Sequence, residues 1–324
     1  MELVATNEQT IFYNDVVEGL GSSPKYLQAK YLYDDEGDKL FQEIMACEEY
    51  YPFRCELEIF TERSAELAKI IIGAGDAFDL IELGAGDCTK SSHLLKRLMA
   101  VNADFTYMPI DISARMIERL AIDLPVAIPG IDILGLRGEY FNMLRKATRI
   151  SGNRKVVLFL GSNLGNMTSG EAALFSRELH EILQPGDLVL VGLDLKKRPS
   201  TILAAYNDKR GITRDFNLNL LKRINRDFRG DFKIDHFEHY PMYDPSTGSC
   251  KSYLISLMDQ RVTLQYGGEE RSFDFGRNEA LFMEISQKYT ADEVDFVGRQ
   301  ASFETVKQFF DKRKWFVDTI WRVI

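Results

Sequence analysis

Between residues 78 and 194 the sequence alternates short, continuous apolar runs with segments of helical period. Runs that are apolar throughout are typical of strands buried on both faces. Strands that alternate with helices predict a parallel sheet with right-handed crossovers, which is a doubly wound α/β fold. The apolar runs are FDLIEL (78–83), FTYMPI (105–110), IDILGL (131–136), VVLFLG (156–161) and LVLVGL (188–193), and the helical segments are 92–100, 114–124 and 171–183.

The composition is that of a globular protein. At 324 residues the chain is long enough for about two domains of ~150 residues each. Its 45% hydrophobic and 27% charged residues are sufficient for a large core. The 40 basic residues against 49 acidic residues give a formal charge of −9, which argues against a surface that follows nucleic-acid phosphates.

Two further features concern the compartment. No stretch is long and apolar enough to span a membrane, and the first residues lack the basic-then-apolar pattern of a secretion signal. Cys47, Cys55, Cys88 and Cys250 contain no CxxC pair, so we expect reduced, structural thiols. We therefore expect a cytoplasmic protein with no nucleic-acid or membrane partner. We also expect a monomer.

The residues on both sides of this core have a different pattern. Residues 1–56 contain one predicted helix, over residues 37–45. Residues 195–287 contain a long amphipathic helix, because apolar residues recur at every fourth position from Ile212 to Phe228, which is typical of a packing face. Three alternating segments then predict a small antiparallel sheet, at 237–243, 252–258 and 262–266.

The end of the chain predicts a hairpin. Two strands are joined around Lys312 to Lys314, and they can extend one edge of the first sheet. A capping box is also predicted, because Thr168 precedes Glu171 by three residues at the start of a helical segment.

The sequence IELGAGD (81–87) places two glycines where the first core strand ends and a helix is about to begin. Glycines there let a ligand approach the backbone, at the strand ends where open α/β sheets bind ligands. The third glycine of a dinucleotide fingerprint is missing, because the position three after Gly86 is Thr89. The motif therefore favours a nucleoside without phosphates, with a purely structural turn as the alternative.

Acidic residues accompany this turn. Asp111 ends the second strand, 25 residues after Gly86, where a carboxylate can accept hydrogen bonds from ribose hydroxyls. Together with Glu82 it fits S-adenosylmethionine, whose cationic sulfonium tolerates acidic surroundings. After the third strand, Glu139 and Tyr140 either meet an adenine amino group and ring or simply begin a helix.

After the fourth strand comes GSNLGNMT (161–168), which contains two glycines and two asparagines. Such polar groups at the end of a central strand lie beside the reactive end of a bound cofactor, so we interpret this segment as the substrate-facing loop. Lys90 can pair with Asp87 or with the cofactor carboxylate, or it can remain solvated.

Signatures of other chemistries are missing from the sequence. His236 and His239 have HxxH spacing, but they lie on an alternating segment with no third ligand nearby, so we expect no metal. Neither a GxSxG motif, nor a Walker lysine, nor a Ser-His-Asp order is present, which argues against hydrolases and kinases. The missing third glycine argues against an NAD-dependent dehydrogenase.

These residues resemble those of the histidine-specific, S-adenosylmethionine-dependent N-α-methyltransferases, the family that makes hercynine on the ergothioneine route. The resemblance covers nearly the whole chain, and EEYYPFR and FLGSNLGN are unusual enough to be specific. The matching blocks are YLYDDEGDKLFQEI (31–44), EEYYPFRCE (48–56), ELGAGDCTK (82–90), PIDIS (109–113), LFLGSNLGN (158–166), AAYND (204–208), FNLNLLKRINRDF (216–228) and EISQKY (284–289).

The resemblance implies a Rossmann-like methyltransferase domain joined to a second, discontinuous α+β substrate domain. The first comprises residues 57–194 plus 288–324, and the second comprises residues 1–56 plus 195–287. The implied reaction transfers methyl groups from S-adenosylmethionine to the α-amino nitrogen of L-histidine, three times, to give hercynine (trimethylhistidine).

The resemblance also implies residue roles. The cofactor would be bound by Gly84, Gly86, Lys90, Asp111, Glu139 and Tyr140, although the family more often has Asp-Phe at the last two positions. The substrate carboxylate would be bound by Asn166 and Tyr206. Its amino group would be oriented by the Gly161 carbonyl and by Tyr33, which guides the released proton outward. Its imidazole would be read by Tyr50, Glu284 and Ser286.

One departure from the family leaves the substrate side chain open. The family's usual methionine near the ring corresponds to Ser252, so a related amino acid such as tryptophan is an alternative to histidine. The placement of Glu284 and Ser286 two residues apart favours a paired contact, because alternate residues of a strand share one face. A non-catalytic sensor of S-adenosylmethionine or an amino acid is the alternative of a different class.

Overall fold

The protein is described here from a computed structural model, which covers residues 2–324 and their side chains from residue 8 onward. The chain divides into two compact units. Unit 1 comprises the residues up to Tyr51 together with Lys197–Ser286, and unit 2 comprises Pro52–Lys196 and Gln287–Ile324. Each unit has a hydrophobic core of its own.

The helices and strands are numbered in chain order. The helices are α1 (Glu2–Gly21), α2 (Asp35–Ala46), α3 (Tyr51–Ile72), α4 (Ser91–Ala100), α5 (Ala114–Ala127), α6 (Tyr140–Ala147), α7 (Ser169–Ile182), α8 (Pro199–Ala205), α9 (Ile212–Phe228) and α10 (Ala291–Gln300). The strands are β1 (Phe78–Leu83), β2 (Phe105–Asp111), β3 (Asp132–Ile133), β4 (Leu136–Arg137), β5 (Arg154–Phe159), β6 (Leu188–Asp194), β7 (Phe237–Asp244), β8 (Ser249–Ser256), β9 (Gln260–Tyr266), β10 (Glu269–Phe275), β11 (Ala280–Gln287), β12 (Phe303–Phe310) and β13 (Phe316–Val323).

Unit 2 is built on an eight-stranded sheet in the order β12-β13-β6-β5-β1-β2-β3, with β4 also paired to β2. The pairs from β6 through β5, β1 and β2 to β3 and β4 are parallel. Every residue of β1 and β6 is buried, as their continuous apolar runs predict. The doubly wound α/β fold is therefore confirmed.

The third apolar run, at 131–136, does not form one strand. It forms β3 and β4, two residues each, which both pair with β2 at the edge of the sheet. Leu134, between them, is 39% exposed, so this run is not buried on both faces as we expected. The fourth run also ends early, because β5 stops at Phe159 and Gly161 takes a positive φ of 76°.

The predicted C-terminal hairpin is confirmed. β12 and β13 are antiparallel, and β13 adds to the first sheet by pairing antiparallel with β6. The turn is fixed by the buried carboxylate of Asp311, which accepts hydrogen bonds from the backbone N–H groups of Trp315 at 2.6 Å and Phe316 at 2.8 Å. The predicted capping box of Thr168 and Glu171 is likewise present, at the start of α7.

Unit 1 combines helices with two small sheets. The predicted helix is α9, and its apolar stripe from Ile212 to Phe228 is buried in the core of this unit. The prediction of one antiparallel sheet from three segments is wrong. β7 and β8 form a sheet with β11, whereas β9 forms a separate hairpin with β10 across Gly267 and Gly268. We missed β10 because most of its residues are exposed and polar.

Helices α1 and α3 were also not predicted. Residues 1–56 contain α1, α2 and the beginning of α3, where we expected one helix at 37–45, which corresponds to α2. A proline in the first turn, Pro52, is compatible with a helix that begins at Tyr51, because its missing N–H needs no partner there.

Two observations bear on the compartment. No helix in residues 2–324 has the length and apolar character that crossing a membrane requires. The four cysteines are buried and form no disulfide.

A pair of helical glycines tests the packing of the C-terminal hairpin. A Cβ at Gly298 in α10 would lie 2.8 Å from the ring of Trp321, whereas a Cβ at Gly170 in α7 would have no atom within 4 Å. We expect Gly298→Ala to lower the free energy of unfolding by about 1–3 kcal/mol through overpacking. Gly170→Ala should leave it unchanged or raise it by up to about 1 kcal/mol, because alanine favours helices. Urea denaturation measures both, and equal effects would contradict the described packing of α10 on β13.

Candidate active site

The turn after β1 lies where the order of the parallel strands reverses, the position at which open α/β sheets bind ligands. Gly84 and Gly86 have φ values of +70° and +52°, in the left-handed region that favours glycine. The Gly84 N–H donates to the Ile110 carbonyl at 2.8 Å, and the Gly86 N–H faces Asp111 Oδ2 at 3.4 Å. The turn is therefore anchored to the carboxyl end of β2.

The two glycines differ in their surroundings. A Cβ at Gly84 would lie 2.6 Å from the hydroxyl of Tyr140, whereas a Cβ at Gly86 would meet nothing within 4 Å. The backbone is thus tightly packed at the first glycine and open at the second. Tyr140 begins α6, directly after the exposed Glu139, and burial raises the pKa of its hydroxyl to about 12. The Tyr140 hydroxyl is therefore a neutral hydrogen-bonding group beside the turn.

Glu82 supports the turn from inside the sheet. Its side chain is 4% exposed, and its Oε2 accepts a 2.5 Å hydrogen bond from the Tyr107 hydroxyl. Burial raises the pKa of Glu82 to about 7, although the hydrogen bond from Tyr107 opposes that rise. The sequence suggested that Glu82 contributes with Asp111 to a cofactor site, but Glu82 is enclosed by protein and contacts Tyr107.

The loop after β5 brings a second set of polar groups to the same sheet edge. Gly161 and Ser162 both have positive φ, and residues 163–166 form one turn of 3₁₀ helix that ends at the exposed Asn166. The amide nitrogen of Asn163 would lie 3.6 Å from a Cβ at Gly84 and 3.9 Å from a Cβ at Gly161. Asn163 is therefore next to both glycine turns, although we had not selected it as a binding residue.

Lys90 also reaches this loop. A Cβ at Gly161 would lie 3.4 Å from its ammonium nitrogen. Lys90 forms an ion pair with Glu56 of α3, a partner that was not among the alternatives considered from the sequence, which were Asp87, the cofactor carboxylate and solvent. Glu56 is fully buried and was missed because nothing in its local sequence indicates which cation it meets. Lys90, Gly161, Asn163 and the glycine turn are thus neighbours within unit 2.

In unit 1, the predicted tyrosines belong to one aromatic cluster. Tyr33 contacts Phe41 and Phe216 edge-on, with ring centroids 5.4 and 5.5 Å apart. Phe41 also contacts Tyr50 at 6.2 Å, and Tyr50 contacts Tyr206 at 6.4 Å. The Tyr33 side chain retains 44% exposure, so it is not a buried core residue.

The predicted polar residues of β11 lie next to this cluster. The Tyr206 hydroxyl donates to Ser286 Oγ at 2.7 Å. Two residues earlier, Glu284 Oε1 accepts from the Asn217 amide of α9 at 3.1 Å. Asn217 is fully buried and was not selected from the sequence, although it belongs to the segment FNLNLLKRINRDF. Unit 1 therefore groups a carboxylate, hydroxyls and aromatic rings.

These groups fit a nucleoside cofactor and an amino acid. The space at Gly86 allows close approach to the backbone, Asp111 ends the adjacent strand as a hydrogen-bond acceptor, and Tyr140 offers a ring. The groups of unit 1 suit a small molecule with a polar ring, because a carboxylate and a hydroxyl each need a polar partner. Among the side chains of residues 8–324, His, Cys, Asp and Glu form no group of three that could hold a metal ion.

Comparison with known proteins shows what the chain is similar to. It matches the model of the family described as histidine-specific methyltransferase, SAM-dependent, over residues 12–323. It is 33% identical to the histidine N-alpha-methyltransferase of Mycobacterium tuberculosis, over 92% of this chain and 90% of that protein. It is 30% identical to ergothioneine biosynthesis protein 1 of Neurospora crassa, over 88% of this chain and 32% of that protein. It is 32% identical to a 4-dimethylallyltryptophan N-methyltransferase of Claviceps fusiformis, over 60% of this chain and 56% of that protein.

Glu82 predicts a specific dependence of stability on pH. Its raised pKa means that the folded protein holds this proton more tightly than the unfolded chain does. The resulting stabilisation is complete below the unfolded pKa of about 4.3 and is lost as the pH rises through 7. We expect wild type to lose about 2 kcal/mol more than Glu82→Gln between pH 5 and pH 8, on the basis of ~1.4 kcal/mol per pKa unit. Urea denaturation of both proteins at the two pH values measures the difference, and parallel losses would show that Glu82 is ionised throughout.

Proposed function

Because this chain belongs to the histidine-specific, S-adenosylmethionine-dependent methyltransferases, we propose that it methylates the α-amino nitrogen of L-histidine. Three rounds of transfer would give hercynine, trimethylhistidine. The observation that carries the proposal is the extent of the family match, which runs from residue 12 to residue 323 and so includes both the glycine turn of unit 2 and the polar residues of β11. The sequence-based prediction of a methyltransferase that uses S-adenosylmethionine is confirmed.

The cofactor-binding role is assigned to residues of unit 2. Gly84 and Gly86 would let the cofactor approach the backbone, and Asp111 would accept hydrogen bonds from the ribose hydroxyls. Glu139 and Tyr140 would bind the adenine, and Lys90 would attract the cofactor's carboxylate. S-adenosylmethionine, when bound, supplies a methyl group made electrophilic by its sulfonium.

Binding of the substrate imidazole is assigned to Glu284, Ser286 and Tyr50. A carboxylate opposite an imidazole N–H favours histidine, because an apolar side chain would leave buried polar groups unpaired. Asn217 supports this assignment, since its amide donates to Glu284 Oε1 and so limits the orientations open to the carboxylate.

The remaining roles concern the amino acid backbone. Asn166 and Tyr206 would bind the substrate carboxylate, while the Gly161 carbonyl and Tyr33 would orient the amino group. The attacking amine must be neutral, yet a free α-amino group has a pKa of about 7.7 or above and is largely protonated at pH 7. Tyr33 would pass that proton to water, a role that its 44% exposure supports. Alignment and exclusion of water would supply most of the rate enhancement.

We further propose that the protein is a cytoplasmic monomer whose product enters ergothioneine biosynthesis. The four buried cysteines without disulfides support a reducing compartment. The Neurospora crassa relative is named for ergothioneine biosynthesis, which supports the pathway.

The activity is tested by incubating the protein with S-adenosylmethionine and L-histidine and measuring the mass of the product by mass spectrometry. Three methyl groups replace three hydrogens, so we expect histidine to gain about 42 mass units, roughly 14 for each transfer. Tyr33→Phe and Asn166→Ala should each lower kcat/KM by about 10-fold or more, the cost of about one lost hydrogen bond at ~1.4 kcal/mol. Tyr240→Phe, an exposed tyrosine of β7 outside the cluster, is the control and should be unaffected.

The same assay separates an enzyme from a sensor. Cofactor binding without any mass gain in any of the twenty amino acids would support a non-catalytic sensor and overturn the proposed activity. Full activity in both Tyr33→Phe and Asn166→Ala would leave histidine methylation standing and reject the assigned roles.

A second candidate substrate is tryptophan or a derivative of it. One observation favours it, because the chain is 32% identical to a 4-dimethylallyltryptophan N-methyltransferase over 60% of its length. The family resemblance also places Ser252 where a methionine is usual. The histidine and tryptophan assignments differ in what they require of Glu284, because an imidazole can take a proton and pair with the carboxylate as a cation, whereas an indole stays neutral.

Glu284 therefore provides a test of specificity. We expect Glu284→Leu to lower kcat/KM for histidine by about 100-fold, because the imidazole loses a charged partner worth about 3 kcal/mol. The same change should leave activity on tryptophan equal or higher. Glu270→Gln, an exposed acid of β10, is the control. If wild type prefers tryptophan and Glu284→Leu keeps that preference, tryptophan is the substrate.

A further inference from the structure

One buried carboxylate connects the cofactor turn to the substrate-facing loop. Glu56 of α3 is fully buried and forms an ion pair with Lys90. Both of its oxygens accept from the Gly161 N–H, at 2.8 Å and 3.0 Å. Lys90 and Gly161 are residues to which we assign the cofactor carboxylate and the substrate amine, so Glu56 contacts one group from each assignment.

A second buried carboxyl group lies beside the first. Asp318 of β13 is fully buried and is the register partner of Gly192 in β6. A Cβ at Gly192 would lie 2.1 Å from Glu56 Oε1 and 2.9 Å from Asp318 Oδ1, so both carboxyl groups converge on the space that this glycine leaves. Any larger residue at position 192 would displace one of them.

The pair has too few positive charges for two ionised carboxylates. Among the described residues, neither oxygen of Asp318 meets a hydrogen-bond donor, so an ionised Asp318 would be buried without compensation. Burial raises the pKa of Asp318 well above its usual range, and the charge of Glu56 raises it further, while Lys90 opposes both. Two buried carboxyl groups that converge on one space retain one proton, as closely spaced acids do. A proton on Asp318 would be donated to Glu56.

We propose that Glu56 is a positioning residue that holds the Lys90 ammonium and the Gly161 peptide in one arrangement, and that Asp318 is a neutral acid that donates a hydrogen bond to it. The inference rests on the proposed function, because the roles of Lys90 and Gly161 come from it. Neither carboxyl group touches substrate in this assignment. Glu56 acts by fixing two other groups, with Asp318 limiting the rotation of its carboxylate.

The two acids should respond differently to loss of charge. In Glu56→Gln the amide has one acceptor oxygen where the carboxylate has two, so it cannot hold both the Lys90 ammonium and the Gly161 N–H, and its N–H₂ group is directed at one of these two donors. We expect the dissociation constant for S-adenosylmethionine to rise about 10-fold or more and kcat to fall by a similar factor. In Asp318→Asn the amide N–H₂ group replaces a protonated carboxyl group, and both are neutral hydrogen-bond donors. The dissociation constant and kcat should therefore stay within about 3-fold of wild type.

A matched control comes from the same helix. Glu62 of α3 pairs with Lys312 at the surface, so Glu62→Gln removes an ion pair without touching Gly161 or Lys90. We expect it to leave binding and turnover unchanged. Isothermal titration measures cofactor affinity, and the separate values of kcat and KM distinguish a positioning effect from a general loss of folded protein, which would lower only the apparent enzyme concentration.

Infrared spectroscopy tests the proton directly. The difference spectrum between wild type and Asp318→Asn at pH 7 should contain the C=O band of the Asp318 carboxyl group, because the band of protonated Glu82 is common to both proteins and cancels. The infrared spectrum and the cofactor affinity of Asp318→Asn remain decisive if Glu56→Gln does not fold. Cofactor affinity tests the inference even if histidine proves not to be the substrate, so the two failures can be told apart.

Two results would overturn the inference. One is wild-type affinity and turnover in Glu56→Gln, which would make the ion pair with Lys90 dispensable. The other is a missing carboxyl band together with a loss of activity in Asp318→Asn as large as that in Glu56→Gln. That result would show that Asp318 is ionised.

Discussion

The parallel direction of the central strands is the constraint on which the site in unit 2 depends. Parallel strands end at the same edge of a sheet, so the turns that follow β1, β2 and β5 must be neighbours there. The order of the parallel strands reverses at β1, because β2 pairs with one side of it and β5 with the other. Gly84 and Gly161, 77 positions apart in the sequence, thereby lie close enough for Asn163 to adjoin both.

Buried charges hold the surrounding backbone in place. Asp194 ends β6 and Lys288 follows β11, and both are fully buried with their charged atoms 2.8 Å apart. The strand positions next to them are joined by hydrogen bonds from the Tyr289 N–H to the Asp194 carbonyl and from the Lys196 N–H to the Tyr289 carbonyl. Removing one member of such a pair leaves an uncompensated charge, which costs about 3–5 kcal/mol. The pair thus fixes the points at which the chain leaves unit 2 and returns to it.

The sequence predicted those features that depend on local patterns. Continuous apolar runs identified β1, β2 and β6, and a four-residue repeat identified α9, because burial on one or two faces leaves a periodic trace. No apolar pattern predicted the split of the third run or the exposed strand β10, because edge strands and hairpins face solvent. The glycine turn and its acidic neighbour were visible as a motif, and their proximity follows from topology.

Partners of buried polar groups could not be predicted in this way. Glu56 and Asp318 are 262 positions apart, and each lies in an ordinary helical or strand segment whose pattern says nothing about charge. Likewise, Asn217 is one of several asparagines in α9, and only the packing of α9 against β11 distinguishes it as the donor to Glu284. Resemblance to a family supplied Glu284 as a candidate, whereas the groups that orient it are fixed by tertiary structure.

Repeated methylation places its own demands on the groups assigned to the amine. Each transfer removes an N–H donor, so a pocket that required fixed acceptors would leave them unpaired as the nitrogen becomes quaternary. The two groups assigned here avoid that cost. Gly161 is exposed and Tyr33 is 44% exposed, so in the proposed assignment water would replace the lost N–H group of the substrate at both. In the proposed assignment the ring of Tyr33 would stabilise the permanent cation through its face, an interaction worth about 0.5–2 kcal/mol that needs no N–H.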